Sequence, residues 1–180
     1  GGGPPPVLSL DTRHTGRRAV RLRPAGGPNL FAALGRQGGA TPYVDFLLRG
    51  GHRLWHAPEA FPRSYLPDNG GAELTLLDDG VRIQQPAEPE TAVVKTLEIH
   101  LDPGRQVIHV QHELRNAGPD PVELAPWALT MLRPGGVAIL PQPQGQVDPD
   151  GLLPNRRLAL WPYTHIRDPR IELGDEFILV

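Results

Sequence analysis

The sequence contains no cysteine, which excludes disulfide bonds, thiolate catalysis and cysteine-ligated metal sites. This lack fits a reducing compartment such as the cytoplasm. Serine is also scarce: Ser9 and Ser64 are the only two, and neither lies in the G-x-S-x-G pattern of a serine nucleophile. The residues therefore give no support to nucleophilic catalysis of the serine or cysteine type.

An excess of charge of one sign is lacking as well. The formal net charge is −2, and Lys95 is the only lysine. Such a balance provides no basic field that would attract nucleic acid or an anionic membrane surface. No apolar run approaches the roughly 20 residues that a membrane-spanning helix needs. We therefore expect neither nucleic acid nor a membrane as a partner.

Long helices are disfavoured because the chain has 21 glycines and 22 prolines, which interrupt most windows of helical length. Between these breakers the apolar residues form short runs, without alternation of strand and helix patterns. This spacing predicts an all-β fold, an antiparallel β-sandwich or a barrel. The runs predicted as strands include VLSL (7–10), AVRLRP (19–24), YVDFLL (43–48), PVELAPWALTML (121–132), GVAILP (136–141), RLALWPY (157–163) and DEFILV (175–180).

The two ends of the sequence suggest a piece of a longer protein. The chain opens with GGGPPP rather than Met and stops within a predicted strand. We expect residues 1–6 to be a low-complexity Gly/Pro leader and residues 7–180 to form part of one β-sandwich domain.

Two hairpins are predicted from turn residues. Asp79-Gly80 favours a type I′ turn, which needs positive φ, and residues 102–105 (DPGR) fit a type II turn. With Pro103 and Gly104 as the central pair of the second turn, Lys95 directly faces His112 on a mostly apolar face. The opposite face is predicted to be solvated and carries Thr96, Glu98, His100, His109, Gln111 and Glu113.

A lysine on an apolar face must reach solvent, find a partner or line a wet cavity. One interpretation is that Lys95 extends past the sheet edge into solvent and that His112 is a core histidine whose hydrogen bonds are made within the protein. The alternative is that both side chains point into a polar cleft on a concave sheet. The residues leave both open.

Residues 50–59, GGHRLWHAPE, place two histidines four apart with Glu59 three further on. On a helix this spacing would resemble a set of metal ligands, but the two glycines and Pro58 argue against a helix. We therefore expect no metal and no cofactor, and interpret the segment as a turn-rich loop that follows a strand.

Aromatic, arginine and histidine residues recur together in four segments: 52–56, 65–69, 125–127 and 160–170. Carbohydrate recognition uses this mixture, because aromatic rings stack on the C–H faces of sugars while polar groups bond to hydroxyls. The alternative is that Trp55, Trp127 and Trp161 are ordinary core residues.

Four segments carry a family resemblance: GGHRLWHAPE, SYLPDN, HELRNAGPDPVELAPWALTMLRPGGVAILP and LWPYTHIRDPRIELGDEFI. They resemble uncharacterised bacterial proteins related to the aldose 1-epimerase, or galactose mutarotase-like, superfamily. The resemblance spans about residues 45–180, and it implies a galactose mutarotase-like supersandwich whose C-terminal part lies beyond this chain. It also implies a small-molecule sugar or sugar derivative as the ligand.

The resemblance implies roles for particular residues. The acid histidine of these epimerases follows a strand that matches residues 121–126, and the next residue here is Trp127, which cannot exchange a proton usefully. The basic glutamate would lie in the missing part. Arg53 matches the sugar-binding arginine by order along the chain. Independently of the resemblance, we interpret His52 and His56 as rim groups of a sugar cleft. His112 is the hypothetical substitute acid, with Lys95 nearby to lower its pKa.

Two functional hypotheses follow. The first is a mutarotase-like sugar epimerase with atypical catalytic residues, in which His112 is catalytic and Arg53, His52, Lys95, Trp127 and His56 bind the substrate. The second is a non-catalytic carbohydrate-binding or structural β-sandwich module.

Overall fold

The computed structural model describes residues 7–10, 19–23, 26–34, 47–68, 70–102, 104–105 and 107–180. The chain divides into two compact units, residues 1–134 and residues 135–180. Within the described ranges, nearly all regular structure is antiparallel β-strand, and the one helix is a single 3₁₀ turn, Arg63–Tyr65. No helix in these ranges is long and apolar enough to cross a membrane. The predicted all-β antiparallel fold is confirmed.

The described part of the first unit contains two four-stranded sheets, in the orders β1-β2-β3-β8 and β4-β5-β6-β7. Their strands are β1 (Val7–Leu10), β2 (Ala19–Arg23), β3 (Gly51–Ala57), β4 (Glu73–Leu76), β5 (Gly80–Gln84), β6 (Val93–Asp102), β7 (Val107–Asn116) and β8 (Ala125–Met131).

The apolar core of the first unit lies between these sheets. Leu54 of β3 packs in one cluster with Ile83 of β5 and with Leu97 and Ile99 of β6. Because two separate sheets enclose this cluster, the first unit is sandwich-like rather than a closed barrel. Each fully buried aliphatic side chain contributes about 1.5–3 kcal/mol to stability through removal of apolar surface from water.

The second unit contains a small sheet of the order β10-β11-β9, formed by β9 (Ile139–Pro141), β10 (Glu172–Leu173) and β11 (Phe177–Leu179). The predicted strands at 136–141 and 175–180 are confirmed in shortened form. The predicted strand at 157–163 is wrong. Trp161 accepts a hydrogen bond from the backbone N–H of Thr164 at 2.8 Å, which closes a turn around Pro162.

The register of the β6–β7 hairpin differs from the predicted one by two residues. Asp102 pairs with Val107, so the loop is four residues long, and His112 faces Leu97 while Lys95 faces Leu114. The predicted direct pairing of Lys95 with His112 is wrong. A shift by two preserves the faces, because side chains alternate with period two. Lys95 and His112 therefore still share the inner face.

The face predicted to be solvated is only partly so. Thr96 is buried, whereas His109 and Gln111 are exposed. The middle of β6 is therefore covered on both faces.

The β4–β5 hairpin is confirmed, but its glycine is needed for another reason. Neither Asp79 nor Gly80 has a positive φ, so the turn is not of type I′. A Cβ on Gly80 would lie 1.9 Å from the carbonyl oxygen of Ile99. Close approach of β6, rather than turn conformation, excludes a side chain at this position.

Candidate functional site

The segment predicted to be a loop after a strand is itself strand β3, flanked by β2 and β8. Gly50 and Gly51 have φ of 81° and 73°, which only glycine adopts readily, and they lead into the strand instead of ending one. Both faces of β3 are covered, so its sequence shows no simple alternation of polar and apolar residues. Its odd and even positions therefore point to two different environments.

The outer face of β3 and β8 carries a group of aromatic rings. Trp55 pairs across the strands with Trp127, their ring centroids 5.5 Å apart in an edge-to-face arrangement, and Tyr65 lies 5.7 Å from Trp55. Phe61 extends the group at 6.2 Å from Tyr65 and is 59% exposed. We call Phe61, Tyr65 and Trp127, with Trp55 buried beneath them, the aromatic surface.

Polar groups border the aromatic surface. The hydroxyl of Tyr65 donates a hydrogen bond to Glu59, whose carboxylate is exposed. Arg53, only 3% exposed, places its guanidinium carbon 4.3 Å from the ring centroid of Trp55 in a cation–π contact. Burial lowers the pKa of Arg53 to about 10, so it remains a cation at neutral pH.

The inner face of β3 carries His52, Leu54 and His56. His52 contacts His112 of β7, with their Nε2 atoms 2.9 Å apart, and its Nδ1 lies 2.8 Å from the hydroxyl of Thr130 on β8. Burial, and then the neighbouring His112, lower the pKa of His52 to about 4, and burial also lowers the pKa of His112. Both imidazoles are therefore neutral at pH 7.

On the other side of Leu54, the inner face carries a buried ionic cluster centred on Glu88. Lys95 Nζ donates to Glu88 Oε1 at 2.7 Å, and His56 Nε2 lies 3.2 Å from Oε2. The hydroxyl of Thr91 also donates to Oε2, at 2.5 Å. Burial alone would raise the pKa of Glu88, but hydrogen bonds from His56, Lys95 and Thr91, with the charge of Lys95, lower it to about 2.

The ion pair with Glu88 answers the question of where the side chain of Lys95 lies. The side chain is 4% exposed, so it does not extend past the sheet edge, and it pairs with Glu88 rather than with His112. The expected rim position of His56 is also wrong, because His56 is 1% exposed. Trp55 is a packing residue, as the core alternative proposed.

The predicted site residues thus separate into two groups on opposite faces of β3. Arg53 and Trp127 lie on the outer side, whereas His52, His56, Lys95 and His112 lie between the sheets. The predicted roles of these residues in catalysis and substrate binding remain predictions.

Sequence reasoning missed Glu88, Thr91, Phe61 and Thr130, which complete these groups. Glu88 and Thr91 lie in the segment 85–92 between two strands, where a carboxylate gives no signal of burial. A weak signal existed for Glu88, because a buried carboxylate partner was one of the outcomes that an inward-pointing Lys95 allowed. Nothing in the local sequence marks the other three.

The fold and these groups define an antiparallel β-sandwich with aromatic residues on one side of a central strand and ionisable residues on the other. The chain matches no known family model, no curated protein and no solved structure.

Proposed function

We propose that this protein is a carbohydrate-binding β-sandwich module whose ligand docks on the aromatic surface. The observation that carries the proposal is the grouping of Trp127, Tyr65 and the 59%-exposed Phe61 beside the carboxylate of Glu59. Ring faces of this kind stack on the apolar C–H faces of sugars, and a bordering carboxylate accepts hydrogen bonds from hydroxyls. The resemblance to the galactose mutarotase-like superfamily is consistent with such a ligand.

Arg53 has a supporting role in this proposal. Because it is buried and its guanidinium lies over Trp55, it fixes the ring beneath the aromatic surface and acts on the ligand only through that ring. The resemblance implies that Arg53 contacts the sugar directly. Because Arg53 is buried, such a contact would require a rearrangement of β3.

We propose binding without anomer interconversion. Mutarotation needs a proton donor and an acceptor at the sugar that the site binds. His112 lies on the opposite side of β3 from the aromatic surface, where it hydrogen-bonds to His52. The second hypothesis of the sequence, a non-catalytic module, is therefore the better supported one.

The test is an isothermal calorimetric titration of the purified chain with cellohexaose, D-galactose and D-glucose in separate experiments. Phe61→Ala is expected to weaken binding at least about tenfold, since the loss of an aromatic ring that stacks on the ligand costs about 1.4 kcal/mol or more. This exposed side chain can be removed with little effect on folding. Phe177→Ala, which removes a partly exposed ring from the second unit, is the matched control and should leave the affinity unchanged.

Polarimetry of freshly dissolved α-D-galactose tests the second half of the proposal. We expect no acceleration of mutarotation by the wild-type chain. Acceleration that His112→Ala abolishes would contradict the non-catalytic assignment, and equal affinities of Phe61→Ala and wild type would contradict the location of the site.

A further inference from the structure

The contact between His52 and His112 brings two imidazole Nε2 atoms to one point between β3 and β7. The atoms are 2.9 Å apart, and the ring planes are inclined at 51°. Both rings are only half-buried. One hydrogen joins the two Nε2 atoms, and a cation in its place would have both nitrogens as ligands.

Thr130 fixes the orientation of one ring. Its hydroxyl lies 2.8 Å from His52 Nδ1 and can accept the Nδ1–H, which leaves the lone pair of His52 on Nε2. Metal-binding histidines characteristically donate their second ring N–H in this way, and the bond sets both tautomer and ring orientation.

A cation would take the place of the hydrogen that joins the two rings. A metal binds imidazole through a ring nitrogen that carries no proton. The Nε2–H that joins the two rings needs only to be replaced by the Nδ1–H tautomer of His112.

Geometry requires a small opening of the pair. With Zn–N bonds of about 2.0–2.1 Å and tetrahedral angles, two nitrogen ligands lie about 3.4 Å apart. The Nε2 atoms must therefore separate by about 0.5 Å, which side-chain rotation of two half-buried rings can supply. The Glu88 cluster offers no comparable position, because its carboxylate already accepts three hydrogen bonds.

We propose that His52 and His112 bind a divalent transition-metal ion, such as Zn²⁺, through their Nε2 atoms. The described residues contain no group of three or more His, Cys, Asp or Glu side chains placed to share a metal. This proposal revises the expectation from the sequence that the protein binds no metal, and it is independent of the aromatic surface.

The experiment is a calorimetric titration of the metal-free 180-residue chain with ZnCl₂ at pH 7. His112→Asn is expected to weaken Zn²⁺ binding at least tenfold, and Thr130→Val about tenfold through loss of the outer hydrogen bond. His109→Asn is the matched control, because His109 is exposed on the opposite face of the same strand. Its affinity should equal that of the wild type.

Nuclear magnetic resonance of the ¹⁵N-labelled wild-type chain gives a readout that does not depend on the folding of any variant. Zn²⁺ should shift the side-chain nitrogen resonances of His52 and His112 and leave those of His109 in place. The absence of binding at 1 mM Zn²⁺ would overturn the proposal. Equal affinities of His112→Asn and wild type, or shifts confined to other histidines, would do the same.

Discussion

The ion pair between Glu88 and Lys95 allows a quantitative prediction for stability. Glu88→Gln keeps the shape of the side chain and removes its charge, which leaves the ammonium group of Lys95 buried without this carboxylate. Lys95 is 4% exposed, so water cannot replace the lost partner without a rearrangement of β6. We expect a marked loss of stability in the first unit.

Two arguments give the magnitude. Removal of one partner from a buried ion pair costs about 3–5 kcal/mol. Independently, the low pKa of Glu88, about 2 against an ordinary value of 4.5, corresponds to roughly 3 kcal/mol at about 1.4 kcal/mol per pH unit. The stabilisation by Glu88 is complete above pH about 4.5 and is lost as the pH falls from there towards 2, because the folded state binds the proton less readily than the unfolded state.

The assay is urea unfolding followed by tryptophan fluorescence. All variants are made in a Trp161→Phe background, so that the signal comes from Trp55 and Trp127 of the first unit. The free energy of unfolding of Glu88→Gln should fall by about 3 kcal/mol or more at pH 7, and its difference from the parent should shrink towards pH 2. Glu123→Gln, at an exposed position, is the control and should change stability by less than about 0.5 kcal/mol.

A double-mutant cycle shows whether the loss comes from the ion pair. Lys95→Met removes the buried charge, so it should destabilise the parent protein but recover part of the stability of Glu88→Gln. The reasoning is refuted if Glu88→Gln costs less than about 1 kcal/mol. Equal effects of Lys95→Met in both backgrounds would also refute it.

Two further predictions concern histidine protonation and strand packing. In a pH titration followed by nuclear magnetic resonance, His52 should titrate near pH 4. His100 should titrate above 6.5, because its hydrogen bond to Asp79 raises its pKa. A His52 midpoint near 6.5 would contradict its burial beside a second imidazole. Gly80→Ala should destabilise the first unit by at least about 1–3 kcal/mol, because the added Cβ would overlap the carbonyl oxygen of Ile99 on β6. Gly71→Ala is the control and should be tolerated, because a Cβ at that position has open space around it. Comparable unfolding midpoints for the two glycine variants would contradict the close approach.

The fold class could be predicted from the sequence because it depends on local properties. Frequent Gly and Pro exclude long helices, and the hairpins at 73–84 and 93–116 follow from short-range turn residues and alternating side chains. The prediction was wrong where two local signals conflicted. Residues 157–163 are apolar enough for a strand, but Pro162 lies in a turn.

The candidate site was less predictable because its residues come from distant segments. His52 and His112 are 60 residues apart, and Glu88 joins His56 and Lys95 from a segment without its own pattern. Their proximity depends on the packing of one sheet against the other. A register change of two residues was enough to exchange the cross-strand partners of Lys95 and His112.

The sequence by itself determined the all-β class, the absence of thiol chemistry and the placement of Lys95 on a mostly apolar face, since each follows from residue type and local spacing. Only the tertiary structure decided that β3 is a central strand with covered faces, and that it places Arg53 and Trp127 on one side and the histidines on the other. The physical reason is that a strand directs successive side chains to opposite faces. What each face meets is fixed by sheet order and sheet packing, which local sequence does not encode.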